Sequence, residues 1–153
     1  MFYASFDSPL GAVTITTNGA AVIAVGFSEA PITGQSCAVA NHAADQLQAY
    51  FNGQLQQFDV PLAASGTAFQ QRVWQALLAI PYGQTASYKD IATRLGDVNA
   101  VRAVGMANAR NPIAIMVPCH RIIGSDGSLT GYAGGLAKKH WLLQHERKYK
   151  PNR

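Results

Sequence analysis

The chain opens on runs in which apolar and β-branched residues crowd together between turn-forming segments. Phe2 to Phe6, Val13 to Thr17 and Ala21 to Phe27 are such runs, parted by Asp-Ser-Pro-Leu-Gly and Asn-Gly-Ala. Connectors of that kind predict antiparallel hairpins. The period then changes. Within CAVANHAADQLQAYFNG, the residues Val39, Ala43, Leu47, Tyr50 and Phe51 recur at helical spacing, and Asn52-Gly53 ends the pattern. The segment VPLAASGT, Val60 to Thr67, is Pro, Gly and small residues, so the domain boundary falls there, giving domains 1–65 and 66–153.

Beyond the boundary the pattern is helical. Thr67 is placed to cap a helix whose stripe is Phe69, Val73, Leu77 and Ile80, ended by Pro81-Tyr82-Gly83. Ser87 with Asp90 reads as a capping box for a helix from Tyr88 to Leu95. Gly96-Asp97-Val98 makes a turn, after which Asn99 is expected to cap Ala100 to Asn108. Two short helices about such a turn match a helix-turn-helix unit. The second is rich in small residues, Ala100, Ala103, Gly105, Ala107 and Ala109, with Arg102 the long side chain of its first turns. Two readings fit: tight helix packing, or close approach to a nucleic-acid backbone. A last helix is expected from Leu136 to Glu146, with His140 and His145 on its surface.

Charge sharpens the picture. The chain's net charge is +4, yet residues 1–65 contain no Lys or Arg and four acids, whereas all twelve basic residues lie in 66–153. That asymmetry suits a C-terminal module that meets a polyanion. The composition argues against other settings. Nothing approaches roughly 18 consecutive apolar residues, and the N-terminus lacks a signal peptide's basic start and apolar run, so a cytoplasmic protein without a membrane partner is expected. Cys37 and Cys119 are too few for a disulfide framework. With His42 the only other soft ligand near Cys37, a closed metal site is not expected either.

The chemistry concentrates in IMVPCHRIIGSDG, Ile115 to Gly127. Cys37 reads as a small buried hydrophobe. Cys119 has His120 and Arg121 beside it, the base and positive charge that a thiolate needs. Side chains adjacent on a strand point to opposite faces, so His120 serves Cys119 only if the backbone turns sharply there. Pro118 and Asn111-Pro112 are the turn signals. Glu146 is the best carboxylate to orient the histidine, and Asp126 reads as a turn residue. Local chemistry alone leaves Cys119 open between nucleophile and buried hydrophobe.

Pro118-Cys119-His120-Arg121, preceded by RNPIAIMV and followed by GYAGGLAKKHWLLQHE, resembles the O6-alkylguanine-DNA alkyltransferases. FQQRVWQALLAIPYGQTASY and AVRAVGMANARNP match that family in order and spacing, so the likeness covers essentially all of residues 66–153. The resemblance implies an α+β fold: a small N-terminal α/β, ribonuclease H-like domain, then a helical, winged helix-turn-helix-like domain. It implies direct-reversal DNA repair, in which Cys119 takes the alkyl group from O6-alkylguanine, and O4-alkylthymine, in a single turnover without cofactor or metal. His120 resembles the base acting through a water, Glu146 its orienting carboxylate, Asn111 the support of the cysteine turn, and Tyr88 the phenol that polarises guanine N3. Arg102 is similar to the finger that replaces a flipped base in double-stranded DNA, its helix lying in the minor groove. Ala103, Arg110, Arg121, Tyr132 and Ala133 are further DNA or lesion contacts on this likeness. Relatives carry Ser where this chain has Ala133, leaving a backbone N–H alone at that point. A monomer in solution, with cooperativity on DNA left open, is implied. Two other classes stay open: a non-catalytic lesion-binding DNA module, and a Cys-His-Glu thiol transferase or hydrolase, which needs an oxyanion hole.

Overall fold

Three strands begin the chain in a computed structural model that describes residues 1–132 and 134–150. β1 (Phe2–Ser8), β2 (Gly11–Thr17) and β3 (Val22–Ser28) form an antiparallel meander. Phe6 pairs with Val13, and Val13 with Phe27, in register. The β1–β2 turn uses Gly11 at φ 101°, a left-handed conformation that glycine adopts without a Cβ penalty. Helix α1 (Ala38–Phe51) buries Ala40, Ala43, Leu47, Tyr50 and Phe51. The buried face thus runs through Ala40, and Val39 stands half-exposed beside it. Ile15, Leu47 and Tyr50 are fully enclosed at the centre of this core.

By contacts the chain divides into two units: Met1–Ser65 with Pro112–Met116, and Gly66–Asn111 with the chain from Val117 onward. The short Pro112–Met116 segment is the departure from a single cut near residue 65. It joins the first unit through the backbone of β3: Val25 N–H donates to the Pro112 carbonyl at 3.0 Å, and Ala114 N–H to the Val25 carbonyl at 3.1 Å. Among the described residues Ile115, with φ 70°, is the non-glycine residue in the left-handed region, a conformation that costs a β-branched side chain about 1–3 kcal/mol.

The second unit is built on helices. α2 (Ala68–Leu78) starts at Thr67, whose hydroxyl accepts from Gln70 N–H while the Gln70 side chain accepts from Thr67 N–H. A capping box of the same kind, Ser87 with Asp90, begins α3 (Tyr88–Arg94). α4 (Val101–Ala109) departs from expectation at its start: Ala100 is the cap residue and gives no side-chain bond. Asn99 is instead held in the preceding turn, its N–H donating to Asp97 Oδ1 at 3.0 Å. Trp74 of α2 is buried, and its Nε1–H donates to the Ala107 carbonyl of α4 at 2.9 Å. Gly66 makes room for that ring, since a Cβ there would stand 2.5 Å from Trp74 Cη2.

Two-residue strands β4 (Ala86–Ser87) and β5 (Ile122–Ile123) pair in parallel, and α5 (Leu136–Tyr149) closes the unit. α5 runs past Glu146, and His145 is a correction: only 7% exposed, it stacks on Trp141 at 4.7 Å between ring centroids. His140 is exposed as expected. Among the described residues no helix is long and apolar enough to cross a membrane. The chain is thus a mixed α/β protein, a small sheet domain followed by a helical one.

Trp74→Phe keeps most of the apolar bulk but removes the indole donor, and the Ala107 carbonyl keeps only the Arg110 N–H at 3.2 Å, so it should lower unfolding free energy by about 0.5–1.5 kcal/mol. Urea denaturation monitored by circular dichroism checks this, and an unchanged midpoint would show that the indole bond contributes nothing.

Candidate active site

Pro118, with ψ 63°, bends the chain out of extended backbone into one 3₁₀ turn, Cys119–Arg121. That turn answers the stereochemical difficulty in the sequence, because consecutive residues of so tight a helix no longer point to opposite faces. Its carbonyls and amides are tied down from several sides. Asn111 Nδ2 donates to the Val117 carbonyl at 2.9 Å, and Asn108 Nδ2, from α4, donates to the Cys119 carbonyl at 3.4 Å. Asn111 also hydrogen-bonds the Cys119 thiol.

The centre of the site is the Glu146 carboxylate, brought in near the end of α5 and 1% exposed. Nε2 of His120 lies 2.7 Å from its Oε2. Arg121 approaches as a fork, Nε donating to Oε1 at 2.8 Å and Nη2 to Oε2 at 3.0 Å. The backbone N–H of Gly83 adds a bond at 3.3 Å. Burial opposes the charge on Glu146, yet His120 and Arg121 together hold its carboxyl well below the usual carboxylate range. Burial pushes the His120 imidazole below its ordinary pKa, with the Glu146 bond pulling the other way. Since Arg121 already matches the carboxylate charge, we assign a neutral ring that donates from Nε2. Nδ1 is then the basic nitrogen, and it is buried with no hydrogen-bond partner among the described residues.

Cys119 itself is 6% exposed. Burial pushes its thiol up, while the Asn111 bond and the charge of Lys139 draw it down. Lys139 is fully buried, and its Nζ donates to the Thr130 carbonyl at 2.6 Å. Burial brings that ammonium down to about 8, opposed by the Cys119 charge. Tyr132 turns a buried hydroxyl inward, and burial raises it, with the Cys119 charge adding to the effect. Tyr88, at the start of α3, hydrogen-bonds Thr130.

Cys119, His120, Glu146 and Asn111 are therefore brought together, with Tyr132 close to the thiol. Arg102, Ala103 and Arg110 lie elsewhere, exposed along α4 with Met106. Arg121 is a correction: it is 6% exposed, and its guanidinium is spent on Glu146 and on the Ile80 carbonyl at 2.7 Å, so it is not placed to meet DNA. Ala133 lies outside the described residues. Cys37 is a second correction, half-buried rather than buried, its Sγ 3.3 Å from Thr17 Oγ1. Thr17's hydrogen bond, then Ala40's amide, hold its thiol below the ordinary value. Among the described residues no group of three or more His, Cys, Asp and Glu is arranged to hold a metal.

Sequence reasoning missed Lys139 and Thr130. The helical pattern carried a signal for the first, since Lys139 precedes Glu146 by about two turns and shares its face with Leu142 and Leu143. No signal pointed to Thr130.

Known proteins match the chain along both of its halves. Residues 68–148 match the model of the 6-O-methylguanine DNA methyltransferase DNA-binding domain, and residues 1–64 that of the ribonuclease-like domain of the same proteins. A methylated-DNA–protein-cysteine methyltransferase of Mycobacterium tuberculosis is 47% identical over 97% of this chain and 94% of its own. One from Methanosarcina barkeri is 48% identical over 95% of this chain and 97% of its own. The crystal structure of Mycobacterium tuberculosis OGT in complex with DNA superposes with a TM-score of 0.89 at 47% identity, covering 99% of this chain and 96% of that one. Matched along both its domains, this chain belongs to the 6-O-methylguanine DNA methyltransferase family.

Proposed function

We propose that this chain repairs DNA by direct reversal, transferring the alkyl group of O6-alkylguanine, and of O4-alkylthymine, to Cys119 in a single turnover. The observation that carries the reading is the buried chain Arg121–Glu146–His120 ending in an unpartnered Nδ1, one residue from the only cysteine in the turn. Through a water, Nδ1 takes the thiol proton as sulfur attacks. The Sγ–C bond forms, the C–O6 bond breaks with its electrons passing to the purine, and the imidazolium is stabilised by Glu146. Tyr88 donates a hydrogen bond to N3 of the departing purine anion, which then recovers a proton at N1 from solvent. The product is a thioether, with no carbonyl for water to attack, so the sulfur stays alkylated.

DNA is the partner, and α4 is suited to meet it. Arg102 and Arg110 flank small Ala103 and Ala109 on its exposed side, with Val101 38% and Met106 58% exposed. A narrow basic helix with exposed apolar residues suits a minor groove widened by an extruded base, which Arg102 replaces in the stack. Extrusion is needed because O6 lies within the duplex. Tyr132 lines the pocket that receives the base. The protein acts in the cytoplasm as a monomer.

Incubation with O6-methylguanine DNA should add one methylene, on the Cys119 peptide alone, in intact-mass and peptide spectra. Cys119→Ser should bind the same DNA and gain nothing; transfer by that variant, or more product than protein, would refute the assignment. Arg102→Ala should slow repair in duplex by about tenfold or more, the effect of losing about 1.4 kcal/mol or more of support for the flipped state. Its reaction with a free alkylated base should be unchanged, and equal losses on both substrates would remove the flipping role. The pH dependence carries a sign. A folded-state imidazole pKa below 6.5 keeps His120 basic where an ordinary histidine is already half-protonated. The single-turnover rate should therefore hold through pH 6.5 and fall only at lower pH. An inflection at or above 6.5 contradicts the neutral, buried base.

A further inference from the structure

Thr130 lies in the loop between β5 and α5, with its side chain exposed and both its oxygens engaged. Its carbonyl accepts from Lys139 Nζ at 2.6 Å and from Tyr88 Oη at 3.3 Å. Its own hydroxyl donates to Tyr88 Oη at 2.9 Å. One residue thus grips the phenol twice. The grip is firm because Lys139 is fully buried, and an enclosed ammonium needs a strong acceptor at a fixed place. The other side of the phenol is also held: a Cβ built on Gly105 would stand 3.7 Å from Cδ1 and Cε1 of Tyr88, so the ring rests on α4 where that residue has no side chain.

The direction of these bonds matters. When Thr130 donates to the phenol oxygen, the phenol keeps one proton of its own, and the donated bond polarises that O–H outward. In the structure that proton meets the Thr130 carbonyl across 3.3 Å, a long bond that is easily exchanged for a better acceptor. The 2.9 Å bond from Thr130 Oγ1 can persist through that exchange.

We propose that Thr130, its loop pinned by Lys139, is a positioning residue whose hydroxyl holds and activates the Tyr88 phenol as hydrogen-bond donor to the departing base. This rests on the reading of Tyr88 given above. Thr130 makes no contact with the thiol in this role, and its effect passes entirely through Tyr88.

The test compares single-turnover transfer from O6-methylguanine duplex by the wild type, Thr130→Val, Thr130→Ser, Tyr88→Phe and the double variant Tyr88→Phe/Thr130→Val. Alkylation of Cys119 by iodoacetamide, whose leaving group needs no donor, runs alongside. Thr130→Val should slow transfer by about tenfold, the effect of one hydrogen bond to a group under developing charge, and leave the iodoacetamide rate unchanged. Thr130→Ser should restore the rate, and Thr130→Val should add nothing to Tyr88→Phe. A slow Tyr88→Phe with a wild-type Thr130→Val overturns the inference alone. So does an additive double variant, a serine that fails to restore the rate, or a parallel loss with iodoacetamide. A wild-type rate in Tyr88→Phe overturns the reading of Tyr88, and the inference with it.

Discussion

The buried carboxylate of Glu146 is the constraint on which the second unit turns. A charge 1% exposed is tolerated only when its acceptor sites are filled, and two elements supply the donors to the acid that α5 carries: the 3₁₀ turn through His120 and Arg121, and the turn after α2 through Gly83. Arg121 then reaches on to the Ile80 carbonyl, closing the loop. Removing one member of such a buried pair leaves an uncompensated charge, at a cost of about 3–5 kcal/mol. The same bonds that hold the fold together place His120 one residue from the thiol and fix which nitrogen carries the proton. Structure and chemistry share one set of hydrogen bonds.

The resting thiol is correspondingly quiet. Burial keeps Cys119 protonated, with Asn111 and Lys139 ready to stabilise the thiolate once a base removes the proton. This suits a sulfur that reacts once: exposure and a low pKa would invite oxidation before any substrate arrives. Cys37 shows the opposite balance, a half-buried thiol whose hydrogen bonds draw it down. Helix α4 has two duties. Through Asn108, α4 supports the Cys119 carbonyl, while its outer side presents Arg102 and Arg110. Its small residues divide between two settings: Ala107 is buried beside Trp74 and Gly105 is half-buried under Tyr88, whereas Ala103 and Ala109 are exposed.

Much of the fold was legible because its signals are local. Hairpin connectors, the Thr67 and Ser87 capping boxes and the apolar stripe of α2 act within one or two turns of chain, so the residues that decide each element stand together in sequence. Two local readings nevertheless slipped. Asn99 looked like a cap, but the helix begins one residue later, with Ala100 in the cap position. His145 looked like a surface residue until Trp141 and Tyr149 enclosed its ring.

The sequence by itself determined the chemistry available: one cysteine beside a histidine behind a proline, a carboxylate downstream, and all the basic charge in the second half. It also determined the family, since spacing along the chain is what a family conserves in its motif. Only the tertiary structure decided what each charged group does. Arg121 reads as one more cation for a polyanion, and Lys139 carries no assigned role, until folding encloses both against oxygen acceptors. Desolvation makes that choice, because a cation taken out of water must find an acceptor, and only the assembled fold brings Glu146 and the Thr130 carbonyl to meet them.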